Sequence, residues 1–115
     1  MICNSENIET ILKPNMFGGE GTAQLKELFK KGQYWGKSRL IGIFTLPPGT
    51  SVGEHVHNND EEFIYILSGD CMYFDNGKTT TLKAGDAALT RGGESHAIYN
   101  NGNEDCTYLA IILMY

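Results

Sequence analysis

The chain has 115 residues, a length typical of one domain, and a net charge of −5 at pH 7. It contains no cluster of lysine and arginine that would neutralise phosphates, so the composition argues against a nucleic-acid surface. Glycine accounts for 14 of the 115 residues, which favours many tight turns over long helices.

The first residues and the cysteines bear on where the protein works. Residues 1–7 contain neither a cationic leader nor an apolar run, so no secretory signal is expected. No stretch approaches the roughly 20 apolar residues that cross a membrane. Cys3, Cys71 and Cys106 lack CxxC spacing and are expected to be reduced thiols in the packed interior. Together these features predict a cytoplasmic protein.

The first third of the chain gives weaker signals. Residues 1–16 end in a Lys-Pro-Asn segment that is unfavourable for helix and is consistent with an arm or a short edge strand. The glycine cluster at 18–21 lacks the spacing of a phosphate-binding loop, so a flexible turn is expected. Residues 22–29 are ambiguous, because their apolar residues have helical spacing in a segment that is short and bounded by glycines. Trp35 is expected at a rim or an interface.

From residue 39 onward, short β-branched and aromatic runs alternate with turn residues. The predicted strands cover residues 39–46, 63–67, 71–74, 79–82, 87–90, 96–99 and 107–114. Asn76-Gly77 is a strong signal for a two-residue hairpin. Short strands separated by frequent turns predict an all-β sandwich or small barrel, and the lack of alternating βα units disfavours a nucleotide-binding α/β fold.

Three histidines and one glutamate are spaced so that they can meet. His55 and His57 lie two residues apart, which on an extended strand directs both imidazoles to one face. Residues 58–60 favour a turn, so a second strand can bring the Glu62 carboxylate back beside them. His96 is the only other histidine. This donor set suits a divalent transition ion, and it favours manganese, iron, nickel, cobalt or zinc over magnesium or calcium.

The spacing of these residues resembles the cupin family. The segment Gly49-(5)-His55-x-His57-(4)-Glu62-(6)-Gly69 is similar to the first cupin motif at every position. The segment Gly85-(5)-Arg91-x-Gly93-(2)-His96-(3)-Asn100 is similar to the second, except that Arg91 stands where cupins usually carry proline. The resemblance implies a single all-β domain over residues 1–115, a cupin jelly-roll β-barrel, with the metal-binding motifs in residues 49–100. The ligands that it implies for one metal ion are His55, His57, Glu62 and His96.

Neighbouring carboxylates offer an alternative ligand. A shorter spacer that uses Glu61 is also tolerated in cupins, but Glu62 keeps the six-residue distance to Gly69. Glu61 and Asp60 are therefore expected to be solvated carboxylates on the turn. Strand alternation places Tyr65 on the face opposite Glu62, so no catalytic role is expected for it.

Arg91 and Glu94 are the candidate catalytic residues. The Arg91 guanidinium has the shape to clamp an acidic ligand if it points into the barrel mouth; the alternative is a solvated loop cation. Glu94, two residues before His96, is a candidate proton shuttle or partner of a metal ligand, with an ordinary loop carboxylate as the alternative.

Within the family, residues 18–21, 48–53 and 93–96 look most like small bacterial cupins described as oxalate-binding or oxalate-decarboxylase-like. That likeness implies an ion of the manganese type holding a small carboxylate, and we expect a metal-dependent enzyme that acts on it. The alternatives are a binding or sensor module without turnover, and a sugar isomerase or epimerase. True decarboxylases of this kind have two cupin domains and a lid glutamate, whereas this chain has one domain and no evident lid insertion.

The expected partners follow from the same resemblance. Small cupins pair through sheet edges and the N-terminal arm, so a homodimer is expected with residues 1–30 at its interface. A small-molecule ligand, and neither nucleic acid nor membrane, is the other expected partner.

Overall fold

A computed structural model describes all 115 residues and contains ten β-strands with two single-turn 3₁₀ helices. The strands are β1 (Ile11–Pro14), β2 (Thr22–Phe29), β3 (Ser38–Leu46), β4 (Ser51–Val56), β5 (Asp60–Ser68), β6 (Asp70–Asp75), β7 (Lys78–Lys83), β8 (Ala87–Thr90), β9 (Ser95–Tyr99) and β10 (Cys106–Met114). The 3₁₀ turns are Ser5–Asn7 and Met16–Gly18. Neither turn has the length or apolar character to span a membrane. The all-β prediction is confirmed.

The strands form two antiparallel sheets. One has six strands in the order β1-β2-β3-β10-β5-β8, and the other has four in the order β4-β9-β6-β7. From β3 onward the chain passes repeatedly from one sheet to the other, which is the connectivity of a jelly-roll barrel. The predicted β-barrel is therefore the observed architecture.

Alternating residues of both sheets form one core between them. In β10 the residues at every second position are buried: Cys106, Tyr108, Ala110 and Ile112. They belong to, or lie beside, a cluster of 13 buried apolar residues contributed by both sheets. Full burial of one such large side chain contributes about 1.5–3 kcal/mol, so this shared interior holds the two sheets face to face.

The structure confirms the predicted hairpin and assigns the ambiguous residues 22–29 to a strand. Asn76 and Gly77 have φ values of 49° and 82° and join the paired residues Asp75 and Lys78, which confirms the two-residue hairpin. Residues 22–29 form β2 rather than a helix. A β-bulge between Glu27 and Phe29 breaks the two-residue alternation, and this extra residue explains why the apolar positions imitate a helical spacing.

Two local features fix the strand connections near the motifs. Asn100 is fully buried, and its side-chain amide donates to the carbonyls of Leu46 and Glu104. Gly69 has a φ of 77°, and a Cβ at this position would clash with the Asp105 carbonyl. The two motif residues thus hold together the loops that close this end of the barrel. All three cysteines are free thiols, with Cys71 and Cys106 in the core; Cys3 is exposed, so the expected interior position is wrong for it.

Candidate metal centre

The four predicted ligands come together between the sheets. His55 lies near the end of β4, where it pairs in register with His96 of β9, and His57 follows β4 directly. Glu62 reaches them from β5 of the opposite sheet. One ligand atom from each of the four residues lies within 4.8 Å of the others, a grouping that could hold a metal ion.

The contacts are made by one nitrogen of each imidazole. His96 Nε2 lies 3.1 Å from His57 Nε2 and 3.1 Å from His55 Nε2. Glu62 Oε1 lies 3.4 Å from His57 Nε2 and 3.9 Å from His96 Nε2. Three ring nitrogens and a carboxylate oxygen therefore face a common point.

The other nitrogen of each ring is held from outside the cluster. His55 Nδ1 donates to the Gly53 carbonyl at 2.8 Å, and His57 Nδ1 donates to Asp60 Oδ1 at 2.8 Å. His96 Nδ1 is hydrogen-bonded to the Tyr73 hydroxyl at 2.6 Å. A carbonyl or a carboxylate can only accept, so these bonds place the protons of the first two rings on Nδ1.

This proton arrangement is the observation that fits a metal ion. With Nδ1 protonated, the Nε2 atoms of His55 and His57 present lone pairs toward the cluster, beside the Glu62 oxygen. Such acceptors repel one another across about 3 Å unless a cation or a proton lies among them. Outer hydrogen bonds that set the tautomer of each ring are also the usual support of metal-binding histidines.

The three histidines differ in the direction in which their pKa values are shifted. Burial lowers the pKa of His55 and lowers that of His96 to about 4, so both are neutral near pH 7. The pKa of His57 is raised, chiefly because its ring is hydrogen-bonded to Glu62 and also to Asp60, and these bonds outweigh its burial. A metal ion binding here competes with a proton on one ring rather than on three.

The expectation of a solvated Asp60 is wrong. Asp60 is only 6% exposed, and its Oδ2 atom accepts a hydrogen bond from Arg39 Nε at 2.8 Å. Asn59 has a φ of 58°, and after this left-handed residue β5 begins with Asp60 already facing inward, two positions before Glu62. Burial disfavours the charged form of Asp60, but hydrogen bonds from Arg39 and His57 outweigh it and lower the pKa. Glu61 is partly exposed on the opposite face.

Arg91 and Glu94 lie away from the cluster. Arg91 Nη2 and Glu94 Oε1 form an ion pair at 2.7 Å on the surface, and neither side chain lines the cavity beside the histidines. Glu94 does contribute through its backbone carbonyl, which accepts the His57 amide at 3.1 Å. Tyr65 is exposed on the outer face, as strand alternation predicted.

The cluster opens into a cavity of about 260 Å³ with mainly apolar walls. Phe17 stacks on the His55 ring at one side, with centroids 3.8 Å apart. The charged cavity residues outside the cluster are Lys13, Glu27 and Arg39, and sequence reasoning assigned none of them to the site. Glu27 shares the inward parity of Ala23 and Leu25 on β2, so a strand assignment there would have indicated it.

The fold is a jelly-roll barrel in which three histidines and a glutamate converge beside a small cavity and could hold a metal ion. The Cupin domain model matches residues 42–112, and the chain belongs to the cupin family.

The similar proteins include one from Thermotoga maritima described as an oxalate-binding protein. It is 42% identical over 114 residues, which cover 99% of this chain and 94% of that protein. The crystal structure of a predicted oxalate decarboxylase from Thermotoga maritima matches with a TM-score of 0.96 and 42% identity, over 100% of both chains.

Two further matches have descriptions that mention polyketides. Tetracenomycin polyketide synthase protein TcmJ of Streptomyces glaucescens is 33% identical over 66 residues, 57% of this chain and 44% of that protein. The polyketide cyclase RemF of Streptomyces resistomycificus shares the fold, with a TM-score of 0.80 at 18% identity over 99% of this chain and 78% of that one.

Proposed function

We propose that the protein is a metal-dependent enzyme that acts on a small carboxylate, with manganese as the first candidate among the divalent transition metals. The ion would be held by His55, His57, Glu62 and His96. The observation that carries the proposal is the convergence of three Nε2 atoms whose partner nitrogens are all hydrogen-bonded elsewhere. Four protein ligands leave about two positions of an octahedral ion for a carboxylate.

The chain's own residues would prepare the site before any ligand arrives. Gly53, Asp60 and Tyr73 hold the three rings, so the ligand set needs little rearrangement on binding. The apolar walls exclude water from the bound carboxylate, which strengthens its electrostatic interactions. A bound metal supplies Lewis-acid polarisation of the carboxylate oxygens.

The choice of a carboxylate is supported by the description of the Thermotoga maritima relative as oxalate-binding. A cluster that already contains Glu62 accepts a further anion only if a cation is present. Carboxylate binding should therefore depend strictly on metal loading, and this dependence separates the proposed site from adventitious anion binding.

The test begins with elemental analysis of the purified protein. The manganese-loaded protein is then incubated with oxalate and related acids under air and under nitrogen. We expect a metal content near one ion per chain, and product formation that His57→Ala abolishes and Glu61→Ala does not. A folded protein that takes up no transition metal would refute the proposal.

A binding or sensor module without turnover is the second candidate. One observation favours it: the catalytic candidates Arg91 and Glu94 lie outside the cavity, and Glu27 is the only carboxylate besides Glu62 among its lining residues. Saturable, metal-dependent binding of a carboxylate, with no product under either air or nitrogen, would favour this second function. A sugar isomerase or epimerase activity and a cytoplasmic location both stay predictions.

We also propose a homodimer. The sequence predicted residues 1–30 at its interface, whereas the exposed apolar residues favour the outer face of the six-stranded sheet as the pairing surface. Two rows of apolar residues cross this face in register: Ile43, Leu109, Tyr65 and Ala87, then Ile41, Ile111, Phe63 and Leu89. Phe63, Tyr65 and Leu89 are 36–50% exposed, as are Leu67 and Leu113 nearby. At roughly 200 Å² for a large side chain, these five alone expose on the order of 400 Å². That area suits the apolar centre of an interface burying about 800 Å² per partner.

Light scattering during size-exclusion chromatography tests this proposal. A species of about twice 12.7 kDa is expected, and a single 12.7 kDa species would contradict it. Phe63→Lys should give the monomer. Leu12→Lys, on the exposed edge strand β1, is the matched control and should not; the reverse result would move the interface to the N-terminal segment.

A further inference from the structure

Arg39 is placed at the cavity by an irregularity in β3. Leu40 pairs with Ile112 of β10, but the next β10 residue, Leu113, pairs with Ser38, so Arg39 is the extra residue of a β-bulge. The buried Ser38 hydroxyl fixes the bulge by donating to the Ile112 carbonyl at 2.7 Å. A bulge redirects a side chain from its regular alternation, and this one brings Arg39 to the cavity lining instead of the outer face shared by Ile41.

The Arg39 guanidinium is held by one hydrogen bond and keeps further N–H donors free. Only its Nε is hydrogen-bonded within the chain, to Asp60 Oδ2, and the side chain is 45% exposed. The Nη1 and Nη2 groups therefore keep their donors for another acceptor. Two parallel N–H groups in a planar fork match the two oxygens of a carboxylate.

The cavity between Arg39 and the cluster is larger than oxalate needs. Its 260 Å³ corresponds to about nine water molecules at about 30 Å³ each. Oxalate is two carboxylates joined directly, so it would leave much of this space open. The cavity lining includes Leu40, Phe44 and Ile112, which suits a short hydrocarbon linker. Lys13 and Glu27, also on the lining, carry opposite charges and together add no net charge to it.

We propose that Arg39 is a specificity-determining residue, which receives the distal carboxylate of a dicarboxylic acid longer than oxalate. The proximal end of that acid would occupy the metal cluster, an inference that rests on the function proposed above. A chain of about four to five carbon atoms fits the cavity volume. The second carboxylate, rather than the metal-chelating end, is what Arg39 recognises.

The experiment compares acids that share a chelating end and differ only at the distal end. Malate is paired with 2-hydroxybutanoate, and 2-hydroxyglutarate with 2-hydroxypentanoate, in calorimetric titrations of the manganese-loaded protein. The variants are Arg39→Gln and Arg91→Gln, an arginine that is also paired to a carboxylate but lies outside the cavity. Metal content is measured for each variant before titration.

Arg39→Gln should weaken binding of both diacids by about tenfold to a hundredfold and leave the monoacids within about twofold. Arg91→Gln should change neither. An equal loss for diacids and monoacids would overturn the proposal, because Arg39 would then act only through Asp60 and the His57 ring. An unchanged diacid affinity would overturn it as well. If the wild-type protein binds manganese and the monoacids but prefers no diacid, this inference fails alone; if it binds no acid at all, the proposed function fails with it.

Discussion

Removal of the Asp60 side chain is the sharpest test of how the site is prepared. Asp60 makes no contact with the point where the four ligands converge, yet it accepts the His57 Nδ1 proton and so directs the Nε2 lone pair inward. Asp60→Ala should therefore weaken metal binding although every ligand remains. A model in which only the ligands matter predicts no change.

Asp60→Ala should have two separate effects, one on metal affinity and one on folding stability. Loss of an outer hydrogen-bond partner of a metal ligand typically lowers metal affinity by about 10-fold to 100-fold, which is about 1.4–2.7 kcal/mol. The His57 residue is only 2% exposed, so its Nδ1–H would be left without an acceptor or water. Such a buried unsatisfied donor costs about 1–3 kcal/mol of folding stability with or without the metal, so it should appear in urea denaturation and not in the metal affinity. Arg39 adds little, because its guanidinium is 45% exposed and water can replace Asp60 there.

The assay is a competitive titration of manganese against a chelator, with urea denaturation of the metal-free protein alongside. Glu61→Ala is the matched control, because it removes the adjacent carboxylate on the opposite face and should leave the metal affinity unchanged. Asp60→Asn keeps an acceptor oxygen and should lie between the wild type and Asp60→Ala. A folded Asp60→Ala protein that binds manganese within twofold of the wild type would refute the reasoning.

Three further outcomes are expected. In the metal-free protein, burial holds the pKa of His96 at about 4, below the 6.5 of the unfolded chain. The unfolded chain then binds the extra proton, so the free energy of unfolding should fall by about 3 kcal/mol as pH drops from about 6.5 to about 4. His96→Gln should reduce this pH dependence in a series of urea denaturations. An unchanged pH dependence would contradict the lowered pKa of His96. Tyr73→Phe should lower manganese affinity by up to about tenfold in the chelator titration, whereas Tyr108→Phe, whose hydroxyl has no hydrogen bond to the cluster, should not; equal effects would argue against a role for the Tyr73 hydroxyl. Gly53→Ala would place a Cβ in contact with the Phe17 carbonyl and should lower the unfolding midpoint by an amount equivalent to about 1–3 kcal/mol. Gly36→Ala is the control and should change the midpoint little, because no atom lies within 4 Å of the added Cβ.

The sequence was most informative where local chemistry and tertiary packing agree. The strand pattern from residue 39 onward follows the two-residue alternation of a half-buried sheet, and β10 illustrates it with a buried side chain at every second position. Asn76-Gly77 specifies its own hairpin because both residues tolerate positive φ. The ligand spacing was readable because the irregularity of β4 lies before His55, so His55 and His57 keep their two-residue spacing, and Glu62 lies on β5.

The features that sequence reasoning missed depend on breaks in that regularity. A bulge after Glu27 gave β2 a helical spacing that hid the strand, and another bulge in β3 brought Arg39 to the cavity. The left-handed Asn59 placed Asp60 inside rather than on the turn. Pairing with a neighbouring strand decides where a bulge falls, and that partner is unknown until the topology is known. Candidates chosen by proximity in sequence, such as Arg91, were therefore poor guides to proximity in space.

The arrangement of the cluster also explains why a metal would act on the whole fold and not only on one loop. Three ligands belong to the side of the four-stranded sheet and Glu62 belongs to the six-stranded one, so an ion held by all four joins the two sheets. An ion that binds the folded chain and not the unfolded one raises stability by about 4 kcal/mol at a thousandfold excess over its dissociation constant. Because the outer partners come from three different strands, β4 for Gly53, β5 for Asp60 and β6 for Tyr73, the ligand geometry exists only when the barrel is assembled. Metal-dependent stabilisation is thus a direct measure of that assembled geometry, and variants of Asp60 and Tyr73 should reduce it while all four ligands remain.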